Sequence, residues 1–160
     1  MLPSEKLRKE ISKKYKIDLE RYAWPEQLKK MIFSIELDDH LEENATTLEE
    51  IYEKGYNIGH CGLTSRYIAR KFEEANMYFG KAQLLVGTKN SPNGEHAWTI
   101  IEGFLVDSTL MLLIPVTEAV QLGYSFEKKL AYQSARTLSE YDIYDLEYVE
   151  DCKQKVNIKQ

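Results

Sequence analysis

The stretch NGEHAWTIIEGFLVDST, running from Asn93 to Thr109, decides the fold reading of this chain. Two apolar runs, HAWTII and FLVDST, flank the pair Glu102-Gly103, and that pattern predicts two strands joined by a tight turn. With Glu102 and Gly103 as a two-residue turn, Ile101 faces Phe104, Trp98 lies opposite Asp107, and His96 lies opposite Thr109. His96 and Asp107 then share one face as diagonal neighbours, with Cα atoms roughly 7–8 Å apart and side chains within reach of each other. A four-residue loop preserves this register, whereas a three-residue loop puts the two groups on opposite faces.

The segment before the hairpin reads as helix. CGLTSRYIARKFEEAN opens at Cys61 after the loop GYNIGH, turns Leu63, Tyr67 and Phe72 inward, and has Asn76 available to terminate it. Three shorter helices precede it. Ser4 caps the first, with Leu7, Ile11 and Tyr15 on one face. Pro25 takes the first helical position of WPEQLKKMIFSIEL, followed by Leu28, Ile32 and Ile35 at helical spacing. TTLEEIYEKGY carries a capping box from Thr47 to Glu50 and stops at Gly55. After Gly80 the period changes. KAQLLVGT is strand-like, KNSPNGE is loop chemistry, SFEKKLAYQSARTLSEY reads as helix, and IYDLEYV alternates Tyr144, Leu146 and Tyr148 with acids as a half-buried last strand. Helices followed by an antiparallel sheet make an α+β fold. No repeat or linker divides the chain, so residues 1–160 are read as a single domain.

Composition narrows the function classes. The chain has 160 residues, 43% hydrophobic and 29% charged, ordinary values for a globular domain that buries a sizeable core. A net charge of −5 argues against a nucleic-acid groove, because the Lys-rich start SEKLRKEISKKYK is interleaved with acids and forms no basic stripe. MLPSEKLRKE lacks the apolar segment of an export signal, and LMLLIPV is too short to span a bilayer. The only cysteines, Cys61 and Cys152, form no disulfide framework, so a reducing cytoplasm fits. The eleven Tyr residues suit cleft walls and core edges.

Cys61 stands at the mouth of its helix, where the helix dipole and unpaired backbone N–H groups favour thiolate over thiol. Gly59 and Gly62 keep bulk away from the sulfur, so a carbonyl can approach it. A thiolate attacking an acyl carbon needs a neighbouring base to take and return a proton, the role His96 would fill. Asp107 would accept a hydrogen bond from the imidazole, fixing its tautomer and stabilising its charged form. Trp98, next on that face, would shield the pair from water. Taken singly, each group has a plainer reading: Cys61 as a small buried hydrophobe and His96 as a core histidine satisfied by a carboxylate.

Taken together, GHCGLTSRYIARKFEEANMYFGKAQLLVGT and GEHAWTIIEGFLVDST resemble the core of the transglutaminase-like superfamily, which has a papain-like fold. The resemblance spans Gly59 to Thr109: a Cys opening a helix, a strand ending in VGT, a HAW strand and a strand ending in VDST. It implies Cys61 as nucleophile, His96 as general base and acid, and Asp107 as the residue orienting the His. The chain departs from the pattern at Ser108, where many members have Pro, and at Asn76, where a Gly often ends the helix. The backbone N–H of Cys61 supplies one oxyanion donor, and Asn57, Tyr56 and Trp24 are candidates for the second.

The resulting expectation is a cysteine-dependent hydrolase or acyltransferase acting on an amide or thioester carbonyl through a covalent acyl-thioester. A peptidase or amidase is favoured over a transglutaminase, since so short a chain leaves little room for an elaborate substrate domain. The expected partner is a protein or peptide substrate, with no nucleic acid, membrane or cofactor. The alternatives are a non-catalytic protein- or peptide-binding module on the same fold, or a docking role for the Tyr-rich end YDIYDLEY. His60 points away from its neighbour and reads as cleft-lining or solvent-facing. A zinc site from Cys61, His60 and His96 lacks a second Cys at a metal-ligand spacing. His40, within ELDDHLEE, belongs to a solvated acidic face.

Overall fold

The structure is a computed structural model and describes residues 1–37, 45–72 and 75–130. In chain order the elements are α1 (Pro3–Tyr15), a 3-10 turn (Leu19–Tyr22), α2 (Glu26–Phe33), α3 (Leu48–Lys54) and α4 (Cys61–Lys71). They continue with β1 (Ala75–Ala82), a second 3-10 turn (Gln83–Leu85), β2 (Glu95–Ile101), β3 (Phe104–Asp107), β4 (Leu112–Pro115), α5 (Val116–Gln121) and β5 (Tyr124–Leu130). The strands form one antiparallel sheet in the order β4-β3-β2-β1-β5. The fold is α+β.

The hairpin has the register its sequence predicts: Ile101 pairs with Phe104, Ile100 with Leu105 and Thr99 with Val106. Glu102 and Gly103 both have positive φ, 49° and 84°, the backbone of a primed turn whose twist matches that of the strands. Alternation then sorts the side chains. Tyr78, Trp98, Leu105 and Phe126 enter a core with Ile11 of α1, Leu19 and Ala119 of α5. Val106 joins Ile32, Leu48, Ile51, Leu63 and Ile68 from the helical side. The sheet is thus buried on both faces, and α4 lies against β1 and β2.

Several local expectations are corrected. Ser4 does not cap α1: Pro3, with φ pre-set and no N–H to lose, takes the first helical position, and the Glu5 carboxylate accepts the Leu2 N–H at 2.8 Å. Ser4 is instead buried. Pro25 is the N-cap of α2 rather than its first residue. Glu50 binds Thr46, through its N–H and Oγ1, and not Thr47. α4 ends at Lys71, so Asn76 is not its terminator but the second residue of β1.

KAQLLVGT is not a strand. The strand is Ala75–Ala82, and Gln83–Leu85 is a 3-10 turn. Gly80 belongs inside β1 because a Cβ there would collide with the Ser125 carbonyl of β5. The helix expected from SFEKKLAYQSARTLSEY is a strand over Tyr124–Leu130, where buried Tyr124 and Phe126 alternate with exposed Ser125 and Glu127. Pairing with β1 overrides the helix preference of Glu127, Lys128 and Lys129. The helix α5, between β4 and β5, interrupts the simple order of helices followed by sheet. The remainder of that segment, the strand IYDLEYV, Cys152 and His40 lie outside the described residues.

Candidate active site

The site is assembled where the start of α4 meets the start of β2. Ser65, one helical turn after Cys61, bonds to β2 in both directions: its Oγ donates to the Ala97 carbonyl at 3.4 Å and its own carbonyl accepts Thr99 Oγ1 at 3.0 Å. That clamp sets the first turn of α4 level with His96. Cys61 is half-buried and, with His96 and Thr109, lines a cleft of about 270 Å³.

His96 and Asp107 are 1% and 0% exposed, and His96 Nε2 lies 2.8 Å from Asp107 Oδ2. A carboxylate needs a donor, so this contact puts the proton on Nε2. The carboxylate is itself fully engaged. Oδ2 also accepts the Tyr124 hydroxyl at 2.6 Å, and Oδ1 accepts the N–H groups of Thr109 and Leu110, each at 2.8 Å. Burial works to raise the Asp107 pKa, but His96 and these hydrogen bonds outweigh it and hold the pKa below its usual value. Burial works to lower the His96 pKa; the Asp107 charge and hydrogen bond overcome it, with help from Cys61, and raise it to about 10. The pair is therefore imidazolium and carboxylate at neutral pH.

The other ring nitrogen, Nδ1, is buried and closes no hydrogen bond. Cys61 nevertheless acts on the imidazole both as a hydrogen-bonding and as a charged neighbour. A sulfur near Nδ1 but short of ideal hydrogen-bond alignment accounts for both. Trp98, fully buried, stands with its ring centroid 5.9 Å from that of His96 and walls off the inner side.

Beneath the site is a polar network. Thr64 Oγ1 donates to Ser108 Oγ at 2.8 Å, and the Ser108 carbonyl accepts the Tyr52 hydroxyl at 2.7 Å and Asn57 Nδ2 at 3.1 Å. This ties α3 and α4 to the turn after Asp107. Asn57 also donates to Ser4 Oγ at 2.6 Å, so both amide hydrogens are committed to the scaffold and Asn57 is not an oxyanion donor. Neither is Trp24, whose indole N–H donates to the Leu112 carbonyl at 3.0 Å. Tyr56 is exposed outside the cleft lining, and its carbonyl accepts His60 Nδ1 at 2.6 Å. That bond holds the exposed His60 ring to its own loop. Among the described residues, no group of three or more His, Cys, Asp or Glu is placed to hold a metal ion. Among them, too, no helix is long and apolar enough to cross a membrane.

Tyr124 is the residue that sequence reasoning missed. It stands just before the segment read as helix, and only strand pairing brings its hydroxyl to Asp107. Comparison of the chain with protein-family models, with curated proteins and with solved structures finds no match.

Proposed function

We propose that the chain is a cysteine-dependent acyl-transfer enzyme, a hydrolase or acyltransferase acting on an amide or thioester carbonyl, with the papain-like arrangement of the transglutaminase-like superfamily. One observation carries the reading. A buried imidazole is held at Nε2 by a fully engaged carboxylate, while Nδ1 is kept free of other partners beside a cleft-lining cysteine. A structural histidine would be expected to satisfy both nitrogens when so deeply buried.

In the proposed reaction Cys61 enters as a thiolate beside the His96 imidazolium, whose Nδ1 already carries the proton, and the thiolate attacks the substrate carbonyl carbon. The oxyanion is met by the Cys61 backbone N–H at the first turn of α4, where helical N–H groups have no intrahelical acceptor. Collapse of the tetrahedral intermediate expels the amine or thiol, which takes the proton from Nδ1, and leaves an acyl-thioester on Cys61. A water or amine then attacks, giving its proton to Nδ1, and the carbon–sulfur bond breaks to return the Cys61 thiolate beside the imidazolium. Asp107 stays ionised throughout and stabilises the imidazolium. Hydrolysis, as in a cysteine protease or amidase, is favoured because the cleft is small.

The test is alkylation by iodoacetamide at graded pH, with Cys61 and Cys152 followed separately by mass spectrometry. Cys61 should stay reactive well below pH 8, and His96→Ala should remove that reactivity. Equal, ordinary reactivity of the two thiols overturns the reading and favours a binding module instead.

A further inference from the structure

Resting on that reading, we infer that the cleft accepts the acyl group of a substrate bearing an aliphatic side chain. Three of the cleft's lining residues are apolar and come from separate parts of the chain: Leu7 of α1, Ile58 of the loop leading into Cys61, and Leu85 of the second 3-10 turn. No regularity of a single element produces that convergence. The lining also carries Lys89 and Glu95, both exposed, charges of opposite sign. A charged substrate side chain would meet attraction from one and repulsion from the other, so the two give little net selection by charge. The apolar lining is what discriminates.

Size points the same way. At about 270 Å³ the cleft lies just below the range of about 300–1,000 Å³ usual for pockets that enclose drug-sized ligands. It has room for one side chain and the reacting bond rather than for several residues of a peptide. Differences of a methylene in such pockets change specificity by about 10–200-fold.

The experiment uses the full chain and three small acyl donors, the N-acetylcysteamine thioesters of N-acetyl-leucine, N-acetyl-glycine and N-acetyl-aspartate. In each the Cys61 sulfur forms a bond to the carbonyl carbon, the donor's carbon–sulfur bond breaks, and the departing thiol leaves with the proton from His96. Acylation is read by mass spectrometry, with iodoacetamide run in parallel. The leucyl donor should acylate Cys61 at least about tenfold faster than the other two. Ile58→Ser and Leu7→Ser, two half-buried positions chosen in case one variant does not fold, should each cut that preference to about twofold or less. Equal rates for the three donors, or a leucyl preference that survives both folded variants, overturns the inference alone. A Cys61 inert to iodoacetamide overturns it together with the reading on which it rests.

Discussion

Asp107 binds His96 with one carboxylate oxygen and the turn that follows it with the other. Oδ2 lies 2.8 Å from His96 Nε2, while Oδ1 takes the N–H groups of Thr109 and Leu110. The same side chain thus ends β3 and aims the imidazole. A carboxylate pinned on both sides cannot swing away, so the ring it holds has one orientation.

Asp107→Asn should keep the fold and lose turnover. An amide can still accept the backbone N–H groups but offers His96 no negative charge. The raised His96 pKa would fall, and the alkaline limb of the pH–rate profile would move to lower pH, with kcat down by about 10²-fold or more. An unshifted alkaline limb would show that Asp107 does not stabilise the imidazolium.

Tyr124→Phe removes the 2.6 Å hydrogen bond to Asp107 Oδ2. Hydrogen bonds to charged groups contribute about 1.5–3 kcal/mol, so a drop of that order is expected in denaturant unfolding at neutral pH. The Asp107 pKa would also be less depressed. Because a depressed carboxylate contributes stability above its unfolded pKa and loses it as pH falls through the folded value, acid unfolding of the variant should begin at higher pH. Identical acid midpoints would rule this out.

His96 works in the opposite sense. Its folded pKa, about 10, lies above the ordinary 6.5, so its contribution is complete below pH 6.5 and fades as pH rises towards 10. The Tm difference between the wild-type chain and His96→Gln should accordingly shrink between pH 6 and pH 10. A difference that stays constant over that window would mean the ring is not charged in the folded state.

Cys61→Ala should abolish any acyl-transfer activity while changing Tm little, because the thiol is small and only half-buried. Residual turnover in that variant, measured with the thioester donors, would exclude Cys61 as nucleophile.

Gly80→Ala tests the fold rather than the site. The new Cβ would meet the Ser125 carbonyl and sit 2.9 Å from the Trp98 ring, both in the packed centre of the sheet. Overpacking of this kind costs about 1–3 kcal/mol, and here backbone must move. A variant as stable as the wild type would show that β5 does not approach β1 as described.

The local sequence carried a good deal of this. The two-residue turn at Glu102-Gly103 and the period of two along HAWTII and FLVD set the hairpin register, and register alone puts His96 and Asp107 on one face. The glycines around Cys61 and the apolar spacing after it mark the helix mouth. Such features depend on neighbours a few residues apart, and a linear reading sees them.

What the chain could not disclose by itself was everything contributed from a distance. The Tyr124 hydroxyl reaches Asp107 only because β5 returns beside β1, on the edge away from β3. Asn57 and Trp24 looked free to donate until packing gave their N–H groups to Ser4, Ser108 and Leu112. Gly80 resembled an ending and is a crossing point. Propensity and spacing describe a residue's own backbone, but a buried polar atom takes whichever partner the tertiary packing delivers, and a strand is stabilised by the strand beside it, however far along the chain that lies.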